Sequence, residues 1–262
     1  MSHKARKRFG QNFLHDQAVI EHIINAIHPQ PGEHIVEIGP GLGALTVPLL
    51  KRTKTLHAIE LDRDVIPLLE DKTQNVGELI IHQADVLQFD FARLRPATES
   101  PPHDKLRIAG NLPYNISTPL LFHLTQYKDF IQDMHFMLQF EVVKRITAAP
   151  GNKDYGRLSV MMQYYFRCEF LFKVSPGSFK PAPKVDSAIV RLIPHPQAPV
   201  NIQSIDDFSS LVKQAFMYRR KTLRNNLKEL LSNEQIQSCD IDPSQRAETL
   251  SLAEFAALSM LI

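Results

Sequence analysis

Cysteine is scarce in this chain. Cys168 and Cys239 are the only two among 262 residues, which excludes a disulfide scaffold and suits a reducing compartment. No apolar run approaches the roughly 18 residues that would suggest a membrane span. The opening stretch MSHKARKRFGQNFL is basic but has no apolar core followed by a small-residue cleavage site, so a secretory signal is not expected. The eleven histidines show no metal-ligand spacing, and no metal is expected. Internal repeats and low-complexity segments are missing as well. An excess of one charge is nearly missing too: the net charge is +2 and the sequence pI about 8.5, which does not by itself mark a nucleic-acid binder. What remains is a chain of ordinary composition, 44% hydrophobic and 22% charged, expected to be a soluble cytoplasmic monomer with no membrane partner.

The distribution of charge says more than its sum. Lys4, Arg6, Lys7 and Arg8 open the chain, and Arg219, Arg220, Lys221, Arg224 and Lys228 cluster near its end. Between about 33 and 195, short apolar runs alternate with amphipathic stretches. HIVEIG (34–39), TLHAIE (55–60), LIIHQAD (79–85), KLRIAGN (105–111) and MHFMLQF (134–140) read as buried strands from their length and their β-branched or aromatic content. ALTVPLLKR, DVIPLLEDKT, TPLLFHLTQY and EVVKRITAAP read as the helices between them, and a further helix over about 17–27 precedes the first strand. FLFKVSP and SAIVRLIP suit a closing antiparallel pair.

This alternation predicts an α/β fold: a mostly parallel, seven-stranded sheet with helices on both faces. The proline-rich stretch PHPQAPVN (194–201) predicts a linker. Beyond it DDFSSLVKQAFMYR, KTLRNNLKELL and SLAEFAALSM read as helices, the last opened by a Ser251/Glu254 capping box. Two domains are expected, 1–197 and a small all-helical domain over 198–262.

Glu37-Ile-Gly-Pro-Gly-Leu-Gly43 follows the first long strand and opens a helix. Glycines at 39, 41 and 43 let the backbone turn tightly against a ligand. The spacing is not the G-x-G-x-x-G of dinucleotide folds. A pyrophosphate asks for a helix N-terminus, whereas an adenosyl-sulfonium ligand has no phosphate and needs space and carboxylates. Glu60 ends the next strand, where a carboxylate can accept both ribose hydroxyls, and Asp85 ends the third, where it can accept from an adenine amine. A glycine turn alone also marks ordinary tight turns. Three such pieces at consecutive strand ends, where open α/β sheets bind ligands, point to a cofactor pocket for S-adenosylmethionine. Asp62 and Asp64 read as helix-capping residues.

Asn111-Leu112-Pro113-Tyr114 follows the fourth strand. The lone pair of adenine N6 is delocalised into the ring, so this amine is a poor nucleophile. Accepting its hydrogens, through the Asn111 side-chain oxygen and a neighbouring backbone carbonyl, would favour a pyramidal nitrogen. Pro113 would hold the turn, and Tyr114 offers a ring on which a base can stack. With the glycine loop, this tetrapeptide indicates an amino methyltransferase that works by positioning and local electrostatics.

The chain resembles the ribosomal RNA adenine dimethyltransferase family, and within it the small-subunit enzymes. The likeness spans nearly the whole sequence and rests on GQNFL (10–14), EIGPGLG (37–43), Glu60, Asp85, NLPYNISTPLLF (111–122), FKPAPKVDSAIVRL (179–192) and RRKTLRNNL (219–227). The resemblance implies that Asn12 and Leu14 complete the cofactor pocket with Gly39, Gly41, Glu60, Asp85 and Asn111. It implies that Phe179 lies across the target base from Tyr114. It also implies the substrate: two adjacent adenosines in a hairpin loop near the 3′ end of small-subunit ribosomal RNA, each receiving two methyl groups. Ala182 departs from the pattern, since relatives tend to carry a third proline there, and predicts a slightly looser loop.

Loop adenosines suit such a site, because a paired base cannot present N6 to a buried centre. Arg219, Arg220, Lys221 and Arg224 would hold RNA phosphates. Three alternatives stay open: a large-subunit adenine dimethyltransferase conferring antibiotic resistance, a DNA adenine methyltransferase, and a factor that mainly checks assembly of the immature small ribosomal subunit.

Overall fold

The computed structural model describes residues 12–95 and 105–262. The basic cluster at 4–8 and the first two residues of GQNFL lie outside the described residues. In chain order the elements are β1 (Phe13–Leu14), α1 (Gln17–Ile27), β2 (Ile35–Ile38), α2 (Thr46–Thr53), β3 (Thr55–Glu60), α3 (Ile66–Thr73), β4 (Glu78–Gln83), β5 (Leu106–Asn111), α4 (Ser117–Thr125), β6 (Ile131–Gln139) and α5 (Phe140–Thr147). They continue with α6 (Arg157–Tyr165), β7 (Phe166–Val174), β8 (Phe179–Lys180), β9 (Ser187–Pro194), α7 (Ile205–Ala215), α8 (Leu223–Asn226), α9 (Asn233–Gln237) and α10 (Leu252–Ser259).

Seven strands form one sheet in the order β4-β3-β2-β5-β6-β9-β7. The first five run parallel, and β9 pairs antiparallel with β6, from Met134↔Leu192 to Gln139↔Ser187. Strand β2 is buried at every position, as a strand covered on both faces should be. The chain winds outward from β2 to β4 and then returns to place β5 on the other side of β2. That return makes the carboxyl ends of β2 and β5 the switch point, where open sheets of this type bind ligands. Gly110 allows the approach of these two strands, because a Cβ there would sit 2.5 Å from the Ile38 carbonyl oxygen.

Helix α1 shows how local sequence fixes this half of the molecule. Asp16 caps it, accepting from the amides of Ala18 and Val19, and His28 ends it at φ 51°. Ile20, Ile23, Ile24 and Ile27 repeat at helical spacing and are all buried, each contributing about 1.5–3 kcal/mol of apolar burial.

A second sheet of two strands pairs β1 with β8, Phe13↔Lys180 and Leu14↔Phe179. Sequence reading did not anticipate it, because two-residue strands carry no periodicity. The contact is reinforced when the Ser178 hydroxyl donates to Asp16 (3.0 Å) and the His15 amide to the Ser178 carbonyl (3.0 Å).

The chain divides into two compact units. One holds residues 12–143 and 169–194 of the described chain; the other holds 144–168 and 195–262. The second boundary falls close to the expected linker at 194–201. The segment 144–168 instead groups with the C-terminal helices, because α6 packs against α7 and α10. The capping box of α10 is present, with the Ser251 hydroxyl accepting from the Glu254 amide and Glu254 from the Ser251 amide. Among the described residues no helix is long and apolar enough to cross a membrane.

Candidate functional site

The carboxyl ends of β2, β3 and β5 surround a cavity of about 370 Å³, within the size range of small-molecule sites. Asn12, Leu14, Gly39, Gly41, Glu60, Asp85 and the whole Asn111–Tyr114 tetrapeptide line it. Segments about a hundred positions apart in sequence are thus brought to one place.

The floor is the glycine turn. Gly39 and Gly41 take φ of 66° and 51°, a region that side-chain-bearing residues rarely adopt. The Gly39 amide donates to the Ile59 carbonyl (2.9 Å), tying the turn to β3. Glu60 stands at the end of β3, where its carboxylate accepts from the amides of Gly41 (3.2 Å) and Asp62 (2.8 Å). Burial pushes its carboxyl above the usual range, while these amides pull it back. Asp85 lies two residues past the end of β4, in a turn where it accepts from the Leu87 amide (3.0 Å) and the Gln88 side chain (3.3 Å). Asp62 accepts from the Asp64 amide (3.3 Å) in the turn ahead of α3, whose N-cap is Val65 without a side-chain cap bond, so neither aspartate holds the expected capping position.

Asn111 is the last residue of β5. Its Nδ2 donates to the Asn12 carbonyl (3.0 Å). A carbonyl can only accept, so this bond fixes which end of the amide faces it and leaves Oδ1 as the acceptor on the other side. Pro113 offers its carbonyl to the Ser117 hydroxyl (3.0 Å) at the start of α4 and to the amide of Ile116 (3.2 Å) just before it, so it is already occupied. The Leu112 amide donates to the Met137 carbonyl (3.2 Å), anchoring the tetrapeptide to β6. The Tyr114 hydroxyl shares a hydrogen bond of 2.9 Å with the buried Ser187 hydroxyl on β9, which holds the ring by its far end.

Glu37 is a cavity residue to which sequence reading gave no role. It is 2% exposed, and its Oε2 has no hydrogen-bond partner. Burial pushes its carboxyl up to about 8, with the Glu60 charge adding to the shift. The signal was available: a glutamate inside the apolar strand HIVEIG can only be buried. A buried carboxyl with one unmet oxygen, in a cavity that also holds two other carboxylates, fits a ligand with a cationic end and hydroxyls.

Phe179 differs from expectation. Its ring is 4% exposed and belongs to the apolar cluster of Leu14, Ile20, Ile24, Val174 and Ile189, and it is not part of the cavity wall. Pairing of β8 with β1 turns the ring into this cluster, where an aromatic side chain gains most from burial. In this structure Tyr114 lines the cavity without a facing Phe179 ring.

Residues 2–262 match the ribosomal RNA adenine dimethylase family. The chain belongs to that family. The dimethylase is 52% identical over 259 residues to "Ribosomal RNA small subunit methyltransferase A" of Hahella chejuensis, covering 99% of this chain and 93% of the relative. It is 55% identical over 260 residues to the protein of the same name from Hydrogenovibrio crunogenus, covering 99% and 97%. Among solved structures, a dimethyladenosine transferase from Plasmodium falciparum superposes with a TM-score of 0.77 at 25% identity, covering 94% of this chain and 95% of the other. The 23S rRNA methyltransferase ErmE superposes with a TM-score of 0.72 at 24% identity, covering 95% and 99%, and shares the fold. The dimethylase is a methyltransferase, and S-adenosylmethionine is its methyl donor.

The basic residues expected to meet RNA lie in the second unit. Arg220, Lys221 and Arg224 are exposed. Arg219 is partly engaged within the unit, by Glu248 (3.4 Å) and the Lys153 carbonyl. Buried Asn226 holds the turn that carries them, donating to the carbonyls of Ala215 (2.6 Å) and Tyr218 (3.1 Å). Among the described residues no group of three metal-ligating side chains occurs.

Proposed function

We propose that this dimethylase converts two adjacent adenosines, in the hairpin loop near the 3′ end of small-subunit ribosomal RNA, to N6,N6-dimethyladenosine. The observation that carries the reading is the Asn111 amide, locked by the Asn12 carbonyl so that its oxygen remains to accept, in the same cavity as Glu37, Glu60 and Asp85. When bound, S-adenosylmethionine supplies an electrophilic methyl group on a sulfonium centre. Glu60 would accept the ribose hydroxyls, Asp85 the adenine amine of the donor, and Glu37 would face its cationic end. Gly39, Gly41, Asn12 and Leu14 shape the rest of the pocket.

On the substrate side, Asn111 Oδ1 would accept one N6 hydrogen. The Pro113 carbonyl is taken, so that of Leu112 is the second acceptor. Together they favour a pyramidal nitrogen whose lone pair is free to attack. No strong base is required, since the alkylated amine is acidic and its proton can leave to water. After the first transfer one hydrogen remains, and one acceptor position must tolerate a methyl group. Tyr114 supplies a stacking face worth roughly 1–3 kcal/mol. A second ring from Phe179 requires that side chain to turn out of its apolar cluster when RNA is present.

Arg219, Arg220, Lys221 and Arg224 would bind phosphates from the helical domain, Arg219 least because of its internal partners. The setting we propose is the cytoplasm, with a monomer acting on the immature small subunit. The small-subunit reading is favoured over the large-subunit one by relatives 52% and 55% identical that carry the small-subunit name, against a 24% likeness to the large-subunit enzyme. The test is incubation of undermethylated small subunits with labelled donor, followed by nucleoside mass analysis. Dimethyladenosine in small-subunit RNA is expected; label confined to large-subunit RNA, or none, would overturn the reading.

A further inference from the structure

Beside the cofactor cavity, and sharing Phe13, Leu14, Leu42 and Ala44 with its walls, a groove of about 1100 Å³ runs along α1, α2 and the β1–β8 pair. Its floor is apolar, with Ile20, Val47 and Pro48. Its rim is cationic. Lys51 and Arg52 come from the last turn of α2, Lys72 from the last turn of α3, and Lys180 from β8, against a single carboxylate, Glu21.

All four cations are exposed, and none has an ion pair with a carboxylate among the described residues. Lys72 donates to the Leu42 carbonyl (2.7 Å) and Arg52 to the Asn25 side chain (3.2 Å), which aims both without neutralising either. The whole chain carries only +2. Four cations facing one carboxylate across a concave surface is therefore a local concentration of sign, and its complement is a polyanion. An apolar floor beneath a cationic rim suits a nucleic-acid strand, with sugars and bases below and phosphates above.

We propose that this groove holds the backbone of the RNA strand flanking the target adenosine, as an RNA-binding surface on the catalytic unit itself. The inference rests on the rRNA methyltransferase reading and adds where the strand runs. Lys180 adjoins Phe179, and the groove meets the cavity at Phe13, Leu14, Leu42 and Ala44, so a strand lying here ends beside the cavity that holds Asn111.

The test uses the full chain with Lys51→Gln and Lys180→Gln together, and a second variant with both changed to Glu. Lys72 is kept because it supports the loop before α2. Binding to undermethylated small subunits is measured against KCl concentration at fixed magnesium, and methyl-donor affinity by calorimetry. Each lost phosphate contact lowers the slope of log K against log[salt] by about 0.7–0.9. The double Gln variant should therefore lose about 1.5 from the slope, the Glu variant should bind weaker still, and donor affinity should stay within about twofold. Wild-type slope and affinity in both variants would overturn the proposal. So would weakened donor binding with an unchanged slope, which would assign the groove to support of the cofactor loop. If the wild-type protein neither binds the subunits nor forms dimethyladenosine, the parent reading fails instead, and that result is read from wild type alone.

Discussion

The same strands end in two different ways. At their amino ends the polar groups of the catalytic unit mostly pair with one another, although Arg191 Nε and His135 Nε2 are left without a hydrogen-bond partner. Arg107 on β5 donates to Asp133 on β6 (2.8 and 3.1 Å), to Glu33 (2.7 Å) and to the Ile27 carbonyl (2.6 Å), and Arg191 on β9 reaches the same Asp133 (3.0 Å). Burial alone would raise the Asp133 carboxyl, yet the Arg107 guanidinium holds it below the usual carboxylate range. At the carboxyl ends the polar groups face a cavity: Asn111 is held from behind by Asn12 and Glu60 by two amides, while Glu37 keeps one carboxylate oxygen unmet. A buried network paired mainly within itself stabilises a fold, while groups anchored on one side and open to a cavity on the other are set up to receive a ligand. Burial and charge alone do not separate the two, and neither does the presence of an unmet bond; what separates them is that Asn111, Glu60 and Glu37 line a cavity while Arg107, Asp133 and Arg191 do not.

The largest effect is expected at the closed end. Asp133→Ala leaves the Arg107 and Arg191 guanidiniums facing a buried vacancy and should lower unfolding free energy by about 3–5 kcal/mol, read from urea denaturation. Donor affinity of the folded fraction should not change. An Asp133→Ala protein of normal stability but weakened donor binding would break the comparison. The converse holds at the open end. Asn111→Ala should reduce turnover by a factor of roughly 10²–10³, about 2.7–4 kcal/mol in the barrier. Its unfolding free energy should stay within about 1 kcal/mol of wild type, because it loses one partly buried hydrogen bond. Undiminished dimethyladenosine yield would remove Asn111 from the mechanism.

Much of the open end was legible in the sequence because strand ends are. Glu60 and Asn111 each terminate an apolar run, and the glycine turn announces itself by spacing. The helix over 17–27 was equally plain from its isoleucine stripe. What escaped was whatever depends on partners far apart in sequence. The β1–β8 pair, the Tyr114–Ser187 bond and the burial of Phe179 are all long-range contacts, and no periodicity encodes them. Helix α6 escaped for another reason: GRLSVMMQYYF runs straight into β7, so the apolar pattern has no visible break between helix and strand. Asp85 was placed at a strand end but sits in the following turn, a shift of two residues.

Glu37 sharpens the comparison through pH. Its carboxyl titrates near 8 in the fold against an ordinary value of 4.5. The folded state therefore keeps a proton that the unfolded chain gives up across that interval. Stability of the donor-free protein should fall as pH rises from about 4.5 to 8, by at most roughly 1.4 kcal/mol per unit. Glu37→Gln should flatten that fall in a thermal-denaturation series. A cationic ligand reverses the preference, so donor binding at pH 7 should release protons, seen by calorimetry in buffers of different ionisation enthalpy. The Gln variant should release fewer. Equal proton release in both proteins would show that Glu37 does not face the ligand's charge.

The smallest effect concerns how Tyr114 is held. The hydroxyl and Ser187 are both on the protein side of the site, so their bond belongs to the anchoring and not to the chemistry. Tyr114→Ala removes the stacking face and should cost about 1–3 kcal/mol in kcat/KM for RNA. Tyr114→Phe keeps the face and loses only the anchor, for about 0.5–1.5 kcal/mol. Ser187→Ala should cost the same, and the double variant no more than either single one, since the two changes break one bond. If Tyr114→Phe were instead as damaging as Tyr114→Ala, with Ser187→Ala harmless, the hydroxyl itself would act on the substrate. Tyr114 would then join Asn111 among the groups that meet the reacting amine.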